Sequence, residues 1–95
     1  MFAIAFDLKI EDVQKFHPQG LEGVSAANRE IALTLRSRGF ERVQGRVYAT
    51  DSDSMANLFA AIQDLKTIPW FPKSVRDLRA FRIENWSDFT EVVKT

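Results

Sequence analysis

An α+β domain is predicted by three features of the chain: a strictly alternating opening strand, two amphipathic helical stretches, and a glycine-centred hairpin between those helices. The 95 residues suit one domain, residues 1–95, with a modest core. The opening strand runs Met1 to Leu8. Phe2, Ile4, Phe6 and Leu8 take one parity and Ala3, Ala5 and Asp7 the other, so the large side chains face a core. The second face is a smooth strip of alanines ending in one carboxylate, a surface that a second backbone or a ligand approaches closely. Asp7 is therefore either the functional centre or a plain strand-end residue starting a turn.

The remaining elements follow in order. Lys9 to Gln19 is polar, with Glu11, Asp12, His17 and Pro18, and reads as a loop with at most a short helical turn. After Gly20, Leu21, Val24, Ala27, Ile31 and Leu35 recur at helical spacing, and Gly39 behind Arg36 and Arg38 supplies the stop. Phe40 to Gln44 and Arg46 to Thr50 form a hairpin about Gly45. Asp51, Ser52, Asp53 and Ser54 are N-cap residues, read as helix caps in preference to a metal loop. The helix behind them carries Met55, Leu58, Phe59, Ile62 and Leu65 as a core stripe. Pro69-Trp70-Phe71-Pro72 closes it, with the aromatics expected to pin the loop to the core and stacking on a partner as the alternative. Ser74 to Ile83 is the last main strand. Its broken alternation implies a bulge or burial on both faces. Trp86 to Val93 is a short terminal helix or a strand exchanged in a dimer.

Strand, helix, strand, strand, helix, strand is the ferredoxin-like βαββαβ arrangement. Right-handed crossovers give an antiparallel sheet ordered 4-1-3-2, with both helices on one face. That topology brings Asp7, the hairpin turn with Arg46, the loop with Lys9 and His17, and the start of the last strand with Lys73, Ser74 and Arg76 to one sheet edge. Lys73 to Arg82 holds Lys73, Arg76, Arg79 and Arg82 against Asp77, a local charge of 4 − 1 = +3 in a chain with 13 basic and 13 acidic residues. Cations around a carboxylate suit phosphodiester chemistry: the cations hold phosphates, and the acid binds a metal or activates a nucleophile. Ordinary surface ion pairs with Glu41, Asp77 and Glu84 are the competing explanation. The expected substrate-binding residues are Arg46, Lys73, Ser74 and Arg76, with Asp7 as catalytic residue and metal ligand.

Composition excludes several classes. Without cysteine there is no disulfide and no thiolate metal site, and one histidine makes a His-based zinc site untenable. Zero net charge removes unspecific attraction to nucleic acid, so only a local patch supplies it. The six-residue apolar opening run is too short for a signal peptide or a membrane span, so a cytoplasmic, membrane-free protein is expected. The uncovered alanine face calls for a second copy of the chain. Two-fold pairing there brings two Asp7 carboxylates together as a Mg²⁺ site.

Phe2-Ala3-Ile4-Ala5-Phe6-Asp7-Leu8, Gly39 through Tyr48, Ser74 through Arg82 and Trp86-Ser87-Asp88-Phe89-Thr90 together resemble the virulence-associated protein D (VapD) family. More distantly, the chain is similar to the small ferredoxin-like nuclease subunits associated with CRISPR systems. The resemblance implies a homodimeric endoribonuclease, in some systems the toxin of a toxin–antitoxin pair, with the aspartate ending the first strand needed for cleavage. Arg46 stands where the family pattern usually has Ser after Gln-Gly, so a phosphate-positioning hydroxyl there is either lost or replaced by a guanidinium. Cleavage then proceeds through Mg²⁺ held by Asp7, or without metal through a base, Asp7 or His17, acting on the 2′-hydroxyl. The alternatives from other classes are a non-catalytic dimeric adaptor for nucleic acid or protein and, more weakly supported, a small-ligand regulatory domain.

Overall fold

The computed structural model describes residues 1–95. Four strands, β1 (Phe2–Leu8), β2 (Glu41–Gln44), β3 (Val47–Thr50) and β4 (Val75–Arg82), form one sheet in the order β2-β3-β1-β4, with every neighbouring pair antiparallel. This is the expected 4-1-3-2 order. The two long helices, α2 (Gly23–Arg36) and α3 (Met55–Lys66), cover one face. Phe2, Ile4, Phe6 and Leu8 are buried beneath them, with Ala27, Ile31 and Leu35 from α2 and Leu58, Ala61 and Leu65 from α3. Each large side chain so buried contributes roughly 1.5–3 kcal/mol. Phe6 lies between Tyr48 and Phe71, with ring centroids at 6.1 and 5.9 Å. Trp70 and Phe71 are buried, so the aromatic clip pins its loop to the core as expected.

The structure departs from expectation in the connections. Where a loop is expected after β1, Ile10–Phe16 forms the helix α1, docked through its one fully buried residue, Val13. Leu21 belongs to a single 3-10 turn, Gly20–Glu22, and is exposed. The α3 stripe is narrower than its spacing suggested. Met55 and Phe59 face solvent, and Ala61 takes the central place between Leu58 and Leu65. Ser54 caps α3 by accepting the Asn57 N–H, so the Asp-Ser cluster does act as a cap. Ser54→Ala should cost about 1 kcal/mol, read as a lowered urea midpoint. Beyond β4 only Thr90–Lys94 is helical, forming α5, with Trp86, Phe89, Val92 and Val93 all exposed. No helix is long and apolar enough to cross a membrane.

His17 is not a surface base. Its ring is buried, Nδ1 accepts the Gln19 N–H at 3.0 Å, and Nε2 faces Glu30 at 3.2 Å. An acceptor Nδ1 leaves the ring proton on Nε2, pointing at Glu30. Trp70 Nε1 donates to the same Glu30 carboxylate at 2.7 Å. The clasp ties the loop after α1 to α2 and to the aromatic clip. Gly23 makes room for it, since a Cβ there would lie 2.7 Å from His17 Nδ1. Gly23→Ala must therefore displace a packed ring and should destabilise the protein by about 1–3 kcal/mol. Thermal denaturation checks this, and an unchanged midpoint would show that the loop yields freely.

At the opposite end of the sheet, Arg38 Nε donates to Asp64 at 2.7 Å, holding that carboxyl below the usual carboxylate range. A carboxyl whose value is lowered in the folded state contributes stability above its unfolded value and loses it as pH falls through the folded one. Asp64→Asn should therefore lower stability slightly at neutral pH, leave it nearly unchanged in strong acid, and so flatten the acid limb of the stability–pH curve. An acid limb of unaltered slope would dismiss this pair as a source of it.

Candidate active site

Asp7 is the last outward-facing residue of β1. Its carboxylate is half exposed, and its Oδ1 accepts the Leu8 N–H at 3.0 Å, which fixes the side chain at the strand end. Two cations reach it from different parts of the chain. Arg46 comes from the β2–β3 turn, where Gly45 takes φ +49° and allows a tight reversal. The Arg46 N–C=O unit is held in place because its carbonyl accepts the Phe6 N–H at 3.1 Å. Its Nη1 stands 3.4 Å from Asp7 Oδ1.

Arg76 arrives by an irregularity. Asp7 pairs with Asp77 and Leu8 with Val75, so Arg76 is the extra residue of a bulge. A bulge re-aims a side chain, and here it puts Arg76 Nε 3.9 Å from Asp7 Oδ2. The broken alternation of the last strand thus has a local cause at the site itself. Exposed pairs at such distances contribute about 0–1 kcal/mol. Neither arginine is held there by much energy, and both can be turned to a phosphate at little cost.

Of the remaining expected site residues, Lys73 lies at the same sheet end, but its Nζ sits 5.3 Å from the centroid of the Phe16 ring and makes no ion pair with Asp7. Ser74 has to be corrected. It ends the short helix α4 (Phe71–Ser74), is fully buried, and has an Oγ without a hydrogen-bond partner. Its carbonyl accepts the Lys9 N–H at 2.8 Å and splices β4 to the end of β1. Ser74 thus joins the two strands through its backbone carbonyl, while its side chain is closed off from the surface where a substrate would lie.

Asp77 went unassigned by sequence reasoning, which saw in it only a partner for the arginines. The register sets it directly opposite Asp7 on the same face, where Cβ atoms of such pairs lie about 4.5–5.5 Å apart. The signal was the shared parity of Asp77, Arg79 and Phe81, legible only once the β1–β4 register is known. No group of three or more His, Cys, Asp or Glu side chains is placed to hold a metal ion. Two carboxylates with waters do suit Mg²⁺, so the oxygen donors fit that ion, although Arg46 and Arg76 compete for the Asp7 oxygens.

No protein-family model matches the chain. Among curated proteins it is 55% identical over 95 residues, covering all of both chains, to the endoribonuclease VapD homolog of Neisseria gonorrhoeae. It is 48% identical over 94 residues to endoribonuclease VapD of Haemophilus influenzae, covering 99% of each. Helicobacter pylori endoribonuclease VapD is 45% identical over 97 residues, with both chains covered in full. Identity at this level over the whole length agrees with the resemblance carried by the sequence motifs, and this chain belongs to the VapD family.

Proposed function

We propose that this chain is an endoribonuclease that cuts single-stranded RNA at Asp7 and serves as the toxin of a toxin–antitoxin pair. The observation that carries the reading is the convergence of Arg46, from a hairpin turn, and Arg76, from a bulge, on one exposed carboxylate, in a chain whose full-length relatives are named endoribonucleases. The guanidiniums bind and orient the phosphodiester and offset the negative charge that builds on it during attack. The Asp7 carboxylate accepts a proton from the attacking hydroxyl or serves as ligand to a cation. Asp7 and Asp77, or the Asp7 residues of two subunits, would hold Mg²⁺, which when bound supplies activated water and a Lewis acid. With the His17 ring buried, Asp7 is the one base left from the two considered.

A two-fold homodimer through the helix-free sheet face belongs to the same proposal. Ala5, Val47, Ala49 and Phe81 present that face around the fully buried Ala3, and the exposed Trp86 and Phe89 border the same hollow. Contiguous exposed apolar surface of this kind marks an interaction site.

Incubation of a labelled single-stranded RNA with and without EDTA tests the chemistry. The metal route predicts cleavage lost in EDTA, restored by Mg²⁺, and leaving 5′-phosphate ends. Undiminished cleavage in EDTA, with cyclic phosphate ends, would replace it by direct action of Asp7 on the 2′-hydroxyl. Growth arrest on expression, absent for Asp7→Asn, tests the toxin assignment. Normal growth with active enzyme would reject it.

A further inference from the structure

A groove of about 790 Å³ runs from Asp7 and Arg46 along the space between α2 and the β2–β3 hairpin. Its origin is geometric. The edge strand β2 is only four residues long, and α2 turns its apolar seam of Ala27, Ile31 and Leu35 to the core, leaving a trough between helix and edge. Phe6, Ile31 and Tyr48 line the trough, and its walls carry Arg29 and Arg36 from α2 and Arg42 from β2. With Arg46 the lining holds four guanidiniums against one carboxylate, Asp7, a charge of 4 − 1 = +3 in a protein of zero net charge.

These arginines have little structural employment. Arg29 is in none of the molecule's ion pairs. Arg36 meets Glu41 at 3.4 Å with both side chains exposed, a pair of small worth. Arg42 Nε donates to the Gly45 carbonyl at 2.8 Å, which settles its guanidinium beside the turn that carries Arg46. Arg29 and Arg36 are seven residues apart, about 10 Å along the helix, and Leu33 between them is two-thirds exposed. Cations strung along a trough with apolar surface between them match a polymer of phosphates and bases. A mononucleotide would fill only one end.

We propose that RNA flanking the scissile phosphate lies in this groove, its phosphates on Arg42, Arg29 and Arg36 in order away from Asp7. The inference rests on the endoribonuclease reading. It adds three substrate-binding residues and makes α2 the wall that selects for an extended single strand.

The test is fluorescence anisotropy with labelled single-stranded RNA, in the Asp7→Asn background so that nothing is cut. For single strands, affinity falls with salt at a slope of about 0.7 per neutralised phosphate. Arg29→Gln with Arg36→Gln should lower the slope by about 1.4 and weaken binding to an RNA of roughly twelve nucleotides by about tenfold or more at low salt. The advantage of that RNA over a dinucleotide should shrink with it. Arg29→Lys with Arg36→Lys should restore the slope, which a merely structural role for either arginine would not produce. An unchanged slope and affinity in the Gln variant, with RNA still bound and cut by the unmodified protein, would overturn the groove and leave the endoribonuclease reading standing. A protein that neither binds nor cuts RNA would overturn both.

Discussion

Asp7→Asn is expected to lower RNA cleavage by a factor of about 10²–10⁴, with folding stability changed by no more than about 0.5 kcal/mol. The small structural effect follows from exposure. The carboxylate makes one local hydrogen bond to Leu8 N and two loose contacts with guanidiniums, all of which an amide oxygen partly reproduces. The large functional effect follows from chemistry. An amide accepts no proton at neutral pH and is a poor ligand for a hard cation. RNA affinity should hold or rise, because one negative charge leaves a phosphate-binding edge. Product formation under single-turnover conditions reads the first effect and anisotropy the second. Cleavage retained at the unmodified rate would move the reacting centre away from β1. Cleavage absent from the unmodified protein, with RNA still bound, would favour a dimeric adaptor.

Ala5→Arg is expected to convert the proposed homodimer to monomers. Ala5 lies between Val47 on β3 and Arg79 on β4, in the middle of the helix-free face. In a lone subunit an arginine there extends into solvent, so the fold survives. In a face-to-face pair its bulk and charge must be desolvated against the opposing alanine strip, which costs several kcal/mol and raises the dissociation constant more than about a hundredfold. Sedimentation equilibrium distinguishes the species. An unmodified protein that sediments as a monomer at micromolar concentration would remove the dimer, and with it the idea that two Asp7 carboxylates share one ion. The molecule's dimensions, 39 × 38 × 20 Å, describe a slab with one broad side uncovered by helices.

The strand order and the position of Asp7 were legible in the sequence because they depend on strong periodic signals. A period-two run such as Phe2 to Leu8 admits one orientation, and right-handed crossovers admit one order for the strands around it. The connections were less legible. Seven residues with a single buried anchor, Val13, give too little periodicity to separate α1 from a loop. In α3 the seam runs through Ala61, a small residue that hydropathy spacing passes over in favour of Phe59.

At the site, the arginines could be counted but not aimed. Arg76 reaches Asp7 only because a bulge inserts one residue between Val75 and Asp77. Ser74 could not be known as buried until the turn of α4 was seen to close over it. Arg29, Arg36 and Arg42 read as ordinary surface charge on their own elements. They become one feature only when α2 is laid beside the hairpin.

The most direct measurement is a crystal structure of the Asp7→Asn protein holding an intact single-stranded RNA. The account predicts a phosphate seated at the end of β1 within hydrogen-bonding reach of Arg46 and Arg76, beside the substituted side chain. RNA bound elsewhere, with that edge of the sheet vacant and both guanidiniums turned to solvent, would contradict it.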